Sequence, residues 1–299
     1  MKNTTKGILF ALTTAFFWGF LAIALKVASQ RVDAFTIVWT RFAVAFISLF
    51  IIFLIKDRTQ LRILLKPPRK SIYAALGLAV NYIGYMLGIK YTSPSNAQVV
   101  IQIGPVILAT AGILLFKEKI KKAQVAGFVI VIIGFTLFYS QQLKDMFFLP
   151  GDFNKGVLFT VMGAVAWSVY AIFQKYLVRD YPPQTLNLVI FGLPALLYLP
   201  LVNFHQLASL SFSWWLLLIF LGINTLIAYG GMTGALKYLE ANKVSTIIIN
   251  NPIITFVTMA ILAYFEVDWI INENFSPLVW AGAFLFIGGA VIVIRAGRK

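Results

Sequence analysis

The side chains of this protein that are best suited to bind a polar solute are amides set in long apolar runs. Gln98, Gln102 and Pro105 are spaced at i, i+4 and i+7, which places them on one face of a helix. A second run carries Asn250 and Asn251, again directly beside a proline. Because side-chain amides donate and accept hydrogen bonds but do not titrate, this pattern predicts recognition of a solute.

Each of the two prolines is expected to interrupt its helix. Because Pro105 and Pro252 lack an N–H, the carbonyls of Ile101 and Ile248 lose their usual helix partners. Interrupted helices at matching positions of two halves indicate the binding site of a transporter. The alternative is that both breaks are packing kinks, in which the amides join neighbouring helices.

Aromatic and amide side chains form further helical stripes. Asn81 and Tyr85 share one face of a third run, Trp167 and Tyr170 share a face of another, and Trp18 lies in the first run of the chain. Rings of this kind combine a flat apolar area with a hydrogen-bonding edge, which suits the wall of a cavity for a small amphipathic solute. The alternative for each ring is ordinary packing or a place at the membrane interface.

Arg41 is the one charged residue well inside an apolar run, and it lies about seven residues from the end of that run, or roughly 10 Å. An arginine at this depth needs a carboxylate, carbonyls or water. One hypothesis is that its guanidinium binds a substrate carboxylate bidentately. The other is that it extends outward toward Asp33 and ties its helix to neighbouring helices.

The ionisable residues argue against catalysis. Asp and Glu are absent from the apolar runs, and Glu118 and Glu266, just beyond two of them, are expected to hold helix ends. The chain has no cysteine and one histidine, His205, so we expect neither a metal site nor a cofactor. Without a carboxylate in the runs, facilitated diffusion or solute exchange is expected rather than proton coupling.

The composition predicts a membrane protein, because 60% of the residues are hydrophobic and 12% are charged, against roughly 25% charged in soluble domains. The net charge of +15 does not indicate nucleic acid, since Lys and Arg lie between the apolar runs rather than on one basic face.

The apolar runs predict ten membrane spans, because each is about 20 residues long, which is enough to cross a bilayer. The predicted spans are Gly7–Leu25, Phe35–Ile55, Ser71–Ile89, Thr92–Phe116, Ala123–Leu143, Gly156–Gln174, Thr185–Phe204, Trp214–Leu236, Val244–Phe265 and Phe275–Ile294.

The distribution of Lys and Arg predicts the orientation of these spans. With the N-terminus in the cytoplasm, 19 basic residues fall on the cytoplasmic side and five on the opposite side. The five are Lys26, Arg31, Lys90, Lys144 and Lys155, and the acidic Glu266, Asp268 and Glu273 join them. Cytoplasmic loops carry the excess of positive charge in membrane proteins. Both termini are therefore predicted to be cytoplasmic.

The chain also repeats itself. Residues 7–26 and 156–175 match at a separation of 149 residues, and Lys90-Tyr91 recurs as Lys237-Tyr238 at a separation of 147. We therefore predict two related halves, residues 1–145 and 146–299. Since each half holds five spans, an odd number, the halves face opposite ways across the bilayer.

The first half carries, in order, Trp18-Gly19, Lys26, Arg41, Lys90-Tyr91, Pro105, Lys117-Glu118, Gly127 and Gly134. The second half follows with Trp167, Lys175, Lys237-Tyr238, Pro252, Glu266, Gly282 and Gly289. This doubled pattern resembles the EamA-type half-unit of the drug/metabolite transporter superfamily. The resemblance implies ten helices around a central cavity, alternating access by movement of the halves, and export of amino acids or other metabolites from bacteria. No arginine in the second half matches Arg41.

We expect an all-α integral membrane protein of the bacterial cytoplasmic membrane that carries small organic metabolites. The alternatives are a carrier of nucleotide sugars or lipid intermediates, a membrane-embedded enzyme, or a solute sensor. A phosphate carrier would need more cationic groups than Arg41 alone, and an enzyme would need an acid and a base within the spans. The expected partners are a small-molecule substrate and the lipid bilayer.

Overall fold

The computed structural model describes residues 3–138, 140, 151–267 and 276–296, and within these residues the chain is helical, with no strand. The helices that match the predicted spans are labelled α1 to α10 in chain order. They are α1 Asn3–Ala28, α2 Ala34–Lys56, α3 Arg69–Tyr91, α4a Pro94–Val100, α4b Ile103–Leu114, α5 Lys122–Phe138, α6 Gly151–Leu177, α7 Pro183–Tyr198, α8 Phe212–Tyr238, α9a Ala241–Ile248, α9b Asn251–Tyr264 and α10 Pro277–Ala296.

Eight of the described helical segments are long and apolar enough to cross a membrane, with α4a–α4b and α9a–α9b each counted as one. The other two, α5 and α10, are shorter apolar helices. These lengths make the chain a multi-pass membrane protein. Several predicted features lie outside the described residues: the half boundary at 145/146, the outer ends of the fifth and tenth spans, and Lys2, Lys144, Asp268, Glu273, Arg298 and Lys299.

The interruptions predicted at the two prolines are present. α4a ends at Val100 and α4b begins at Ile103, two residues before Pro105. α9a ends at Ile248 and α9b begins at Asn251, which directly precedes Pro252. Each break lies near the middle of its apolar segment, where free backbone carbonyls need another partner.

Glycines allow helices of the two halves to pack at close range. A Cβ on Gly134 of α5 would lie 2.8 Å from the carbonyl oxygen of Gly282 on α10, and a Cβ on Gly282 would lie 2.8 Å from the carbonyl oxygen of Gly134. Any larger residue at either position would separate the two backbones. Such small-residue contacts are the usual means of close helix packing in membranes.

The larger contacts follow the sequence repeat. α1 packs on α8, and α6 packs on α3. The duplication relates α1 to α6 and α8 to α3. The α1–α8 interface of one pair therefore corresponds to the α6–α3 interface of the other. α2 packs on α7 and α5 packs on α10, each a contact between repeat-related helices. A two-fold relation between the halves would produce this pattern of contacts.

Candidate functional site

A cavity lies at the centre of the bundle, where both interrupted helices meet α1, α3, α6 and α8. Its empty volume, counted together with the open space at its mouth, is about 450 Å³. The lining residues are Trp18, Leu21, Asn81, Tyr85, Gln98, Ile101, Gln102, Pro105, Trp167, Tyr229 and Asn251. The lining therefore combines four aromatic rings with four amides and contains no charged residue.

The amide of Gln98 holds four helices together around the cavity. Its Oε1 accepts a hydrogen bond from the hydroxyl of Tyr85 at 2.7 Å. Its Nε2 donates to Thr255 Oγ1 on α9b at 3.0 Å and approaches the carbonyl oxygen of Trp18 at 3.5 Å. Because Gln98 is 2% exposed, these partners satisfy a side chain that would otherwise be costly to bury.

Gln102 connects the two breaks directly. Its Nε2 donates to Asn251 Oδ1 at 3.2 Å and to the backbone oxygen of Gln98 at 3.1 Å. Its Oε1 is buried and accepts no hydrogen bond from the described residues. A solute donor such as an ammonium or hydroxyl group would satisfy this acceptor.

Two pairs of aromatic residues related by the repeat meet at the cavity or directly beside it. The rings of Trp18 and Trp167 lie 5.9 Å apart in an edge-to-face arrangement. Tyr82 and Tyr229, related by the 147-residue offset, have ring centroids 5.7 Å apart. Trp18 also contacts Tyr229, at 5.3 Å. These ring contacts form the aromatic wall of the cavity and the packing directly behind it.

Asn81 joins α3 to two helices of the second half. Its Nδ2 donates to the backbone oxygen of Gly163 on α6 at 3.0 Å, and its Oδ1 accepts from the hydroxyl of Tyr229 on α8 at 3.5 Å. The glycine on α6 brings the two backbones close enough for this bond. Asn81 is thus a structural link as well as part of the lining.

Seven of the residues predicted from sequence come together in this lining: Trp18, Asn81, Tyr85, Gln98, Gln102, Trp167 and Asn251. Tyr170 lies behind the wall, fully buried, with its ring 5.5 Å from that of Tyr229. Asn250 turns toward its own helix, where its Nδ2 donates to the backbone oxygen of Thr246 at 2.7 Å. The side chain of Asn250 therefore donates to a backbone carbonyl near the break and does not line the cavity.

Arg41 also lies outside the lining. Rather than extending outward toward Asp33, its side chain is 1% exposed. Its Nε donates to Thr225 Oγ1 on α8 at 3.2 Å, and its guanidinium lies 4.1 Å from the centroid of the Tyr82 ring. The stacked ring and the hydroxyl support a buried cation, with Tyr82 between the cation and the ring of Tyr229.

Three lining residues, Tyr229, Leu21 and Ile101, are not among the side chains predicted from the sequence to bind solute. A signal for Tyr229 was available, because the offset of 147 that relates Lys90 to Lys237 also relates Tyr82 to Tyr229. Leu21 and Ile101 carry no such signal, because an apolar residue in a membrane helix has no distinguishing chemistry. Only the packing of the helices shows that they face the cavity.

The residues that line the cavity are all uncharged. Across the described ranges there is no group of three or more His, Cys, Asp or Glu residues that could hold a metal ion. The lining offers neutral hydrogen-bond donors and acceptors on an aromatic surface. Such a lining would suit a neutral solute, and it lies where the two interrupted helices of a multi-pass membrane protein meet.

The comparison with protein families agrees with this class. The model of the EamA-like transporter family matches the chain twice, over residues 5–140 and 154–295. The chain belongs to the EamA-like transporter family.

Named relatives match nearly the whole chain. It is 33% identical over 288 residues to the uncharacterized inner membrane transporter YhbE of Escherichia coli K12, covering 95% of this chain and 90% of the relative. It is 32% identical to an uncharacterized transporter of Haemophilus influenzae, over 96% of this chain and 94% of the relative. A more distant relative, 23% identical over 96% of this chain and 94% of its own length, is the "Probable amino-acid metabolite efflux pump" of Salmonella typhimurium.

A solved crystal structure of a protein has a similar fold. The two chains superpose with a TM-score of 0.76 at 20% identity, covering 99% of each chain. This similarity concerns the fold alone.

Proposed function

We propose that the protein is a secondary transporter that exports small organic metabolites, with amino acids and related solutes as the substrate class. It acts by alternating access, is not an enzyme, and resides in a bacterial inner membrane. The family and the relatives named as transporters support the class, and the name of the Salmonella relative supports amino-acid export.

The observation that carries this proposal is the hydrogen bond between Gln102 and Asn251 across the two breaks. Interrupted helices with polar groups at mid-membrane are the usual site of solute binding in transporters built from repeats. Here both breaks reach one cavity, and each contributes an amide to it. A pair of unrelated packing kinks would not require the two breaks to meet.

The lining indicates the chemistry of the solute. Aromatic rings suit an apolar body, while the buried acceptor Gln102 Oε1 and the other amides suit hydroxyl, amide or ammonium groups. Phosphate groups are poorly matched, because the lining has no cation and the guanidinium of Arg41 is stacked on Tyr82. We therefore favour a neutral or zwitterionic metabolite over a nucleotide sugar or a lipid intermediate.

We further propose ten spans in two inverted halves, residues 1–145 and 146–299, with both termini in the cytoplasm. The excess of basic residues on one side, the double family match and the exchange of the α1–α8 and α3–α6 interfaces support this arrangement. The chain has no cysteine, so single cysteines test it in intact cells. Asn154→Cys should react with an impermeant thiol reagent from outside, and Thr59→Cys should not; the reverse pattern would refute the topology.

Substrate identity is testable with purified protein. A ligand that binds the native state raises its apparent stability by mass action. We expect a thermal-shift screen of amino acids and related metabolites to yield solutes that raise the melting temperature. Those solutes should then exchange across vesicles that contain the protein in a counterflow assay. Stabilisation without exchange would favour a solute sensor over a transporter.

A further inference from the structure

A second, larger cavity opens toward the bilayer between α4, α5 and α9a. Its empty volume is about 1400 Å³, and we call it the lateral groove. Its walls are apolar, with Val106 and Phe128 among them, and the polar contribution comes from a few side chains such as Thr110 and Ser245. Val106 is 53% exposed and Ile132 is 64% exposed, so the groove is open on its outer side rather than closed within the protein.

The lateral groove reaches the back of the solute cavity. Gln102 and Pro105 line both spaces. The break in α4 is therefore the thin wall between the central cavity and the bilayer. A molecule that fills the groove would therefore contact the segment of α4 that carries Gln102.

A cluster of basic residues marks one end of the groove. The connection between α4b and α5 and the first residue of α5 carry Lys117, Lys119, Lys121 and Lys122, and all four are exposed. Glu118 is the one acidic residue in this segment. Its carboxylate accepts from the backbone N–H groups at the start of α9a, Ala241 at 2.7 Å and Asn242 at 3.1 Å.

The dimensions of the groove match one lipid chain. Ile113 lines the groove close to the lysine cluster, and Gln102 lies eleven residues earlier. At 1.5 Å per residue this distance is roughly 16 Å. One leaflet of the hydrocarbon core is about 15 Å thick, half of the bilayer value. A lipid chain that enters beside the lysines would therefore end near the break in α4.

We propose that the lateral groove binds an anionic phospholipid of the leaflet on the lysine-rich face, with its headgroup on Lys117, Lys119, Lys121 and Lys122 and one acyl chain in the groove against Pro105. Basic clusters beside a membrane helix attract anionic headgroups. The bound chain supports the interrupted segment of α4 from behind. This site lies behind the solute cavity, with which it shares Gln102 and Pro105, and the proposal does not depend on which solute is carried.

The test measures lipid binding by the whole purified protein in neutral detergent. Phosphatidylglycerol and phosphatidylcholine with identical chains are titrated, and native mass spectrometry and the melting temperature report binding. We expect phosphatidylglycerol to bind on the order of tenfold more tightly, as attraction to several lysines requires. Short-chain phosphatidylglycerol should bind more weakly, because it leaves the groove unfilled. Equal binding of both headgroups, or no effect of chain length, would overturn the proposal.

Matched variants locate the site. Replacing the four lysines with Gln should abolish the preference for phosphatidylglycerol. The control replaces Lys56, Arg62, Lys66 and Arg69, four exposed basic residues of the α2–α3 connection and its flanking helix ends, and should keep the preference. Ala109→Trp, which fills the groove, should weaken binding of the long-chain lipid and not of the short-chain lipid. If the lysine variant and the control variant lose the preference for phosphatidylglycerol equally, lipid binding depends on net charge alone, contrary to the proposal.

Discussion

The two interrupted helices α4 and α9 occupy matching places in the two halves but differ in the chemistry of their breaks. At the first break, Gln98 and Gln102 both line the cavity and together contact α1, α3 and α9b. At the second break, Asn251 lines the cavity, whereas Asn250 donates to its own backbone. A shared backbone arrangement therefore carries two different sets of amides.

The helix ends that follow show the same contrast. α4b and α9b both lead into a residue with a left-handed backbone, Lys117 and Glu266, each with φ of 53°. After α4b, Glu118 bonds to the start of α9a, while Glu266 after α9b is exposed. The two halves therefore share the path of the backbone, whereas their polar contacts differ. We expect functional effects to concentrate in the first half.

The largest effect is expected from Gln102→Leu. The substitution removes the donor to Asn251 Oδ1 and the buried acceptor Oε1, and a buried polar atom without its partner costs about 1–3 kcal/mol. We expect the affinity for a solute found by the thermal-shift screen to fall roughly tenfold or more. Isothermal titration of the purified variant measures this change.

The matched control at the second break is Asn250→Ala. Its amide serves the carbonyl of Thr246, so the variant should have a lower melting temperature and an unchanged affinity per folded molecule. If Asn250→Ala weakens solute binding as much as Gln102→Leu does, the two breaks contribute equally and the proposed asymmetry fails.

Arg41, which has no counterpart in the second half, tests whether a buried charge acts on the solute or on the fold. Arg41→Lys keeps the charge but loses the hydrogen bond to Thr225 and the flat stacking on Tyr82. We expect a loss of about 2 kcal/mol in the free energy of unfolding, the value of a hydrogen bond to a charged group. Transport per folded molecule should remain unchanged. A selective loss of transport for carboxylated solutes would instead assign Arg41 to binding.

The smallest effect is expected from Glu118 and Glu266, the carboxylates that follow α4b and α9b. Glu118→Gln weakens the contact with the start of α9a and should cost about 1 kcal/mol of stability, whereas the exposed Glu266→Gln should have almost none. We propose that neither residue carries protons. Vesicles with a pH gradient and no solute gradient provide the measurement. Uphill accumulation that either substitution abolishes, in protein that still binds solute, would show proton coupling.

The positions of the helices could be predicted because the length and position of each apolar run indicate where a membrane helix lies. The predicted span Ser71–Ile89, for example, lies within α3, Arg69–Tyr91. The end of the seventh span was predicted less well, at Phe204, because hydropathy continues while the helix ends at Tyr198. Pro200 lacks an N–H for the helix, and a short 3₁₀ turn, Leu199–Leu201, follows instead.

The contacts within the site could be predicted only in part. Polar groups such as Gln98 and Asn251 are recognisable because a membrane span rarely carries them. The partners of Arg41 were not predictable, since Thr225 is 184 residues away in sequence. The orientation of Asn250 also depends on the carbonyls near the break, which the residue type does not specify. Long-range packing decides these features, and spacing along one helix does not report it.

Access to the cavity from both sides of the membrane tests the central claim most directly. Leu21→Cys places a single thiol in the lining, and Leu25→Cys places one in the closed core of the same helix, where the native side chain is fully buried. We expect an impermeant thiol reagent to modify Leu21→Cys in right-side-out and in inside-out vesicles, more slowly with solute present, and to leave Leu25→Cys unmodified. Modification of Leu21→Cys from one side only, with or without solute, would contradict alternating access through this cavity.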